Sequence, residues 1–588
     1  MPIYRAEQAR LSISSEPGLG GYIDDITAST DATAWNATIN MANGLLPGSK
    51  TVTFDTATGS LAVGDYILIG DGSTSGNREI RRIASLGEYS GAATTGTIYL
   101  DYPVGFFHAD NEILDEKTVV GNEGTPVAGS SFATFLPGVY ETIETPDIEP
   151  ELLPQYYLST VGTRNWSYLY RGSERFAGSL PNMILLSGVS LRFPIGTVRT
   201  IASAYAAAAR PAFASAQKGS RLIRVDLSVG GTINNGELIE IETAGTNPEI
   251  RRVTSGGGGV LADTPLILNY PMMFDHTIAF NVRRVDPTAT FTHRIIETPD
   301  LDSMTWNLLM RDSGEAAAND FIRKYVGGVC NTAVLFADEG GLLRFSFDDT
   351  QFTDIVHNQI LSSVVSGAAP TNQLEKSSAA LIQPPGIGDD YPSTGGVLGT
   401  PTYPTREPYY FSQGELSFFG VVFARVRNFR LQITNNVEPR MYIRNYGGAR
   451  GPNDMQPLRR EYALTATIAM NDSISWATGG ASSTTRSLWK EFITESNYGS
   501  WGGTTNRAGF NMVLSFTRGP NDTIFITSPP NSPSDGAAAA PTNAFQAQGC
   551  FFRRARHAIA DRSPVEVEGE IIIRTLGIRI IDSIGVYP

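Results

Sequence analysis

The sequence predicts a mainly β chain: a β-sandwich or barrel with few helices, carrying two small duplicated β modules. Three observations lead there. The 588 residues include 60 glycines and 34 prolines, more turn formers than an average soluble domain holds. Apolar residues alternate at a period of two in many short runs, as half-buried strands require. One block of sequence also occurs twice, and repeats organise everything around them. The length suits roughly four structural units and a large core. Charged residues are only 18% of the chain, and the net charge is −14. A surface so poor in charge suits a chain that buries much of it in contacts.

The repeat sets the domain plan. Residues 64–108 contain GDYILI, NREIRRIASLG and TIYLDYPVGFFH; residues 236–276 contain GELIEI, NPEIRRVTSGG and PLILNYPMMFDH. Glu79-Ile80-Arg81-Arg82 thus matches Glu249-Ile250-Arg251-Arg252 at an offset of 170. Tyr102-Pro103, Phe106 and His108 match Tyr270-Pro271, Phe274 and His276 at 168. Ile67 and Ile69, like Ile239 and Ile241, mark a half-buried strand. The glycine-rich stretches Gly70–Gly76 and Gly256–Gly259 mark turns, and Tyr-Pro ends a strand because proline brings no amide hydrogen. We therefore expect an N-terminal arm over 1–45 and module copies over 46–120 and 218–288. His108 and His276 have no carboxylate or second histidine at metal-ligand spacing, so each is expected to be a hydrogen-bonded turn residue.

A fainter repeat follows each module. ETPDIEP (144–150) resembles ETPDLDS (297–303), and RFAGSLPNMILLSGVSLRF (175–193) resembles KYVGGVCNTAVLFADEGGLLRF (324–345), pairing Asn182 with Asn331. These define sheet segments over 121–217 and 289–361. In the second, Ala333 and Leu335 face Leu343, Phe345 and Phe347 across Asp338-Glu339-Gly340-Gly341, a hairpin over 325–347 with an acidic tip. Residues 362–407, rich in Ser, Gly, Ala and Pro, read as a long loop. Over 408–588 strands return: Phe429, Leu431, Ile433; Tyr462, Leu464, Ala466, Ile468; and a hairpin 511–526 around Gly519-Pro520-Asn521-Asp522. RSLWKEFI (486–493) is an amphipathic helix, 529–548 a Pro/Ala-rich loop, and PVEVEGEIIIRTLGIRIIDSIGVYP one or two strands with Glu566, Glu568 and Glu570 on one face.

Catalytic constellations are missing from this pattern. There is no Gly-x-Ser-x-Gly elbow, no phosphate-cradling Gly-Lys-Ser/Thr loop and no His-Glu-x-x-His. Gly18-Leu19-Gly20-Gly21 lacks the strand-to-helix context of a nucleotide site. Asp348-Asp349 and Asp389-Asp390 are adjacent pairs that carry little information about catalysis. Cys330 and Cys550 are expected to be buried free thiols, as in a reducing compartment. We expect no enzyme, no cofactor and no metal. Arg5, Glu7 and Arg10 interrupt the apolar run a signal peptide needs, and no stretch of 18 apolar residues predicts a membrane span.

The basic residues are 39 arginines and 6 lysines. Arginine suits subunit contacts through paired hydrogen bonds to carboxylates, and a GC-rich coding sequence yields the same ratio. Arg425, Arg427, Arg430, Arg440, Arg444, Arg450, Arg459 and Arg460 form one cluster, and RRAR (553–556) a second. Both are expected to meet acids of a neighbouring subunit, with nucleic acid as the alternative.

The C-terminal half then resembles a known family. RKYVGGVCNTAVLFADEGGLLRFSF, YYFSQGELSFFGVVFARVRNFRLQITNNVEPRMYI, LRREYALTATIAMNDS, LWKEFI, FNMVLSFTRGPNDTIFI and PVEVEGEIIIRTLGIRIIDS are similar in order to the tail tube proteins of tailed phages. GSLPNMILLSGVSLRF looks like an earlier piece of the same pattern. The similarity runs over 140–215 and 290–588, spread across many positions, and the two modules stand outside it. It implies a virion structural protein, made in the host cytoplasm, whose sixfold rings stack into the hollow tail. DNA would pass through that tube without specific binding. The duplication also allows a trimer that mimics six, although one tube domain with two β insertions is the preferred arrangement. Partners would be further copies of the chain and other tail proteins (tip or baseplate, terminator, tape measure), with no membrane anchor. Glu566, Glu568 and Glu570 are candidates for an acidic lumen. Two rivals are a baseplate hub that forms a single ring, and a tail adhesin whose modules bind glycans through Tyr102/Tyr270 and Phe106/Phe274.

Overall fold

The computed structural model describes residues 4–587 except 17–28, 71–78, 120–133, 156–167, 313–320, 358–406, 443–451, 470–510, 531–548, 559–564 and gaps of one to three residues elsewhere. The expected helix 486–493, the loop residues 362–406 and 531–548, Gly18–Gly21, Asp389-Asp390, Tyr102, Pro103, Phe106, Arg425, Arg444 and Arg450 lie outside the described residues. Within them the chain is mainly β. Helical structure among the described residues is confined to short 3-10 turns such as Val189–Arg192 and Phe411–Gln413.

Strand β1 (Tyr4–Ser15) joins the large sheet of the body, not an isolated arm. Six strands then close a barrel: β2 (Ser29–Ile39), β3 (Thr51–Thr58), β4 (Tyr66–Ile69), β5 (Glu79–Ser85), β6 (Gly96–Leu100) and β7 (Ile113–Val119), in the order β2-β3-β6-β5-β4-β7. The first module therefore starts earlier than the expected residue 46. Its sixth strand is the polar β2, whose inward residues Trp35, Ala37 and Ile39 fill the gap between β3 and β7. Trp35 meets Phe54 edge to face at 5.2 Å, and Phe54 meets Tyr89 at 5.0 Å. A closed barrel leaves no edge to protect.

Next come β8 (Thr134–Phe135), β9 (Glu144–Gln155), β10 (Tyr168–Ile184) and β11 (Gly196–Ala202). The second module follows as β12 (Arg210–Pro211), β13 (Leu222–Val225), β14 (Leu238–Ile241), β15 (Glu249–Ser255), β16 (Thr264–Leu268) and β17 (Asn281–Arg284). Its order, β12-β17-β14-β15-β16-β13, is that of the first barrel, and its ends meet at the bridge between Ala212 and Val225. The likeness extends to irregularities. A bulge separates the pairs Ile83/Leu100 and Ser85/Tyr99, and another separates Val253/Leu268 and Ser255/Ile267. His108 bridges Leu45 where His276 bridges Ala216. One departure from the sequence reading concerns β14, which is buried on both faces: Ile239 and Ile241 fill the barrel, while Glu240 is covered by the body.

The body continues with β18 (Phe291–Glu297), β19 (Met304–Asp312), β20 (Phe321–Asp338), β21 (Arg344–Phe352) and β22 (Asp354–His357). After these come β23 (Gly414–Phe418), β24 (Val421–Phe423), β25 (Val426–Thr434), β26 (Glu438–Arg440), β27 (Asp454–Gln456) and β28 (Glu461–Ala469). The chain closes with β29 (Met512–Gly519), β30 (Asp522–Ser528), β31 (Cys550–Ala558), β32 (Glu566–Ile573) and β33 (Gly577–Asp582). The expected hairpins form. Ala333 pairs with Phe347 and Leu335 with Phe345 in β20–β21, and Gly340 takes the positive φ of 75° that the tip needs. Gly519 pairs with Asp522 in β29–β30. The closing segment is two strands in two sheets, because the chain turns a corner over 574–576.

Two sheets thus make a sandwich. The large one contains the path β31-β32-β28-β25-β20-β21-β10-β9, and the other runs β11-β18-β33-β30-β29-β23-β24. One core joins them: Leu431, Leu464 and Ile571 on one side, Phe516, Ile526 and Ile580 on the other. The Phe429 and Phe516 rings lie 5.6 Å apart across it. Cys330 and Cys550 are free thiols within this core, and burial pushes both above the ordinary thiol value.

Candidate functional site

The module repeat brings its matched charges together. Glu249 and Arg251 are two apart on β15, so they share a face. Both are buried, and Arg251 Nη2 lies 2.7 Å from Glu249 Oε2. His276, fully buried, places Nε2 2.6 Å from Glu249 Oε1 and Nδ1 2.7 Å from Glu242 Oε2. Carboxylate oxygens only accept, so with both glutamates ionised both ring nitrogens donate and His276 is positive. In the first copy His108 Nδ1 meets Glu112 Oε2 at 2.8 Å, and the place of Glu242 is held by Gly70. Both histidines are hydrogen-bonded, as expected, but each sits at a β-bridge instead of a turn. The carboxylates reach His276 from 27 and 34 residues away, which local spacing cannot register. The duplicated Glu-Ile-Arg-Arg was the available signal.

This network seats the second barrel on the body. Arg251 also donates to the carbonyls of Pro271, Ile250 and Tyr587. Buried Glu240 accepts the Ala202 N–H at 2.9 Å and the Tyr205 hydroxyl at 2.8 Å. The N–H of Thr200 donates to Pro248 O, and apolar contacts of Ile250 and Val285 with Phe291 and Val586 complete the seat. Arg192, buried beside Met273 and Ser15, faces Asp302 at 3.8 Å, and Asp302 in turn takes Lys218 at 2.8 Å.

The pH dependence follows from opposing effects. Burial alone would lower His276, but the hydrogen bonds and charges of Glu249 and Glu242 outweigh it and hold the group above its ordinary 6.5. Burial alone would raise Glu249 and Glu242. Arg251 and His276 outweigh it for Glu249, and the bonds from His276 and the Thr246 amide do so for Glu242, so both fall below 4.5. A raised histidine contributes stability below pH 6.5 and loses it as pH rises through the folded value; depressed glutamates contribute above pH 4.5 and lose it as pH falls. Amide-exchange protection over 210–284 is therefore expected to peak between pH 4.5 and 6.5. A His276→Gln variant should show a smaller alkaline decline, leaving the part from Glu240, whose carboxyl burial holds above its ordinary 4.5. A flat profile in the native chain would remove the network from the account of barrel seating.

The outer face of the large sheet carries the other predicted charges. Glu566, Glu568 and Glu570 do share a face, opposite buried Val567, Gly569 and Ile571. That face is not acidic alone. Arg427 pairs with Glu566 and, at 3.0 Å, with Glu339; Arg553 pairs with Glu570 at 3.0 Å. Arg554 and Arg556 stand in register with Glu570 and Glu568. Arg430 meets Asp348, Arg440 meets Glu438 and Arg459 meets Glu461. Arg460 donates to Asn435 and to the carbonyl of Thr298. For these described arginines the acids expected from a neighbour come from the same chain. Arg553 and Glu570 sit on adjacent strands, while Arg427 and Arg430 reach across one intervening strand to Glu566 and Asp348. Arg440 and Arg459 pair with acids two residues away. Asp349 is bound by Asn331 and Gln351, a structural setting. Tyr270 is buried, and Phe274 packs against the main core.

Among the described residues, the path β31-β32-β28-β25-β20-β21-β10-β9 of the large sheet is bare at both ends: β31 pairs only with β32, and β9 only with β10. No group of three or more His, Cys, Asp or Glu among the described residues is arranged to hold a metal, and no described helix is long and apolar enough to cross a membrane. No protein-family model matches the chain, and no curated protein matches it.

Proposed function

We propose that the chain is a structural subunit of a phage tail tube, closing with further copies into rings that stack around a DNA conduit. The observation that carries this reading is the pair of bare edges at opposite ends of one sheet path. An open edge presents unpaired N–H and C=O groups that template another strand. When the two edges differ, the contact is head-to-tail, and a head-to-tail contact closes into a ring when its rotation does. The low charge content and the resemblance of 140–215 and 290–588 to tail tube proteins support the same conclusion. The mixed-sign face around Glu566, Glu568 and Glu570 suits a surface past which DNA slides, because each arginine there is answered by a nearby acid. The two barrels have cores of their own, as insertions at a tube's periphery would. With Tyr270 buried and Phe274 packed against the main core, the aromatic pair expected to form a platform in the second copy does not favour the adhesin reading.

Negative-stain electron microscopy of the purified chain tests the proposal. Hollow tubes or stacked rings are expected, and their symmetry separates six subunits from three. Rings that never stack would shift the assignment to a hub. A monodisperse monomer at every concentration would overturn ring formation altogether.

A further inference from the structure

We infer that the ring contact is a specific strand pairing: β31 of one copy adds to the free edge of β9 in the next. This deepens the ring reading and rests on it.

The first argument is charge. β32 carries Glu566, Glu568 and Glu570 with no basic residue, and β31 carries Arg553, Arg554 and Arg556 with no acid. At the far end, β9 carries Glu144, Asp147, Glu149 and Glu151 with no basic residue, and β10 carries Arg171 and Arg175 against Glu174. Each outermost strand is thus opposite in sign to its inner neighbour. Docking β31 against β9 continues the alternation across the joint, whereas β31 on β31 or β9 on β9 sets like charges opposite each other.

Backbone chemistry selects the same pairing. β9 contains Pro146, Pro150 and Pro154, so its edge is short of donors while its carbonyls remain. Two such edges cannot zip together. β31 contains no proline and brings a full row of N–H groups. Apolar exposure agrees: Leu152, Leu153 and Leu169 on the β9–β10 ribbon are 56%, 40% and 44% exposed, and Ile572 beside β31 is 45% exposed. Finally, the β19–β20 hairpin, counterpart of β9–β10 in the fainter repeat, is flanked by β1 and β22 of the same chain. Among the described residues β9 has no such flank.

The test uses two charge-reversed full chains, one carrying Glu149→Lys with Glu151→Lys and the other Arg554→Glu with Arg556→Glu. Each alone should need at least about tenfold higher concentration to form rings than the native chain. Mixed in equal amounts they should form six-membered rings near the native threshold, because alternating the two chains unites opposite charges at every joint. If the rings hold three copies, one joint stays mismatched and the crosslinking test below decides instead. If both form rings as readily as the native chain, the edge assignment is overturned while the ring reading stands. If the native chain itself is monomeric, both fall. Should a reversed chain fail to fold, a photo-crosslinker at Leu152 in the otherwise native chain decides. Crosslinks between copies that map to 550–558 uphold the pairing. Crosslinks within one copy, or to another region, overturn it.

Discussion

Glu249→Ala is expected to lower the stability of the second barrel by about 3–5 kcal/mol, the cost of removing one partner from a buried ion pair. Glu249 is fully enclosed and serves three donors: His276 Nε2 at 2.6 Å, Arg251 Nη2 at 2.7 Å and the Met273 N–H at 2.9 Å. Without it, the Arg251 guanidinium keeps only carbonyl acceptors, and His276 keeps Glu242 alone. Both cations are then buried with half their compensation. Glu249→Gln retains acceptor geometry but loses the charge, so it should fall between native and alanine. Glu242→Ala should cost less, because Glu242 remains a fifth exposed and water can replace part of what it provides. Amide exchange resolved over 210–284 is the appropriate measurement, since a chain with several cores need not unfold in one step. A change below about 1 kcal/mol for the alanine variant would show that packing, not the ion network, seats the barrel.

Trp306→Ala is expected to cost the main body about 3–5 kcal/mol, as large-to-small changes of buried aromatics do. Trp306 is fully buried on β19, edge to face with Phe352 at 4.9 Å and tilted against Phe347 at 6.2 Å. Its indole N–H points at Met304 Sδ, 3.4 Å away. Alanine there leaves a cavity where β19, β20 and β21 converge. Trp306→Phe should recover much of the loss by refilling the volume. Denaturant unfolding followed by tryptophan-independent far-UV dichroism compares the three. An alanine variant as stable as the native chain would mean that this seam collapses freely around the missing ring.

Both variants also mark where sequence reading succeeds and where it stops. The hairpin around Gly340, the strands through Leu431 and Leu464 and the duplicated Ile67/Ile69 and Ile239/Ile241 were legible. Alternation with a period of two and turn chemistry are local properties, carried by residues a few positions apart. The module duplication was legible for the same reason. Its sixth strand was not, because β2 is mostly polar and becomes a strand only when β3 and β7 need closing between them.

What the sequence determined by itself is the class of structure: many short strands, two copies of one small β module, buried thiols and charge spread along strands. Tertiary structure alone decided which charges meet. His276 acquires Glu249 and Glu242 because β14, β15 and the bridge at Ala216 converge, and Glu566 and Glu570 are matched by arginines because β25 and β31 lie near or beside β32. The physical reason is range. Backbone propensity and burial pattern act within one strand, whereas electrostatic partnership depends on register between strands distant in sequence.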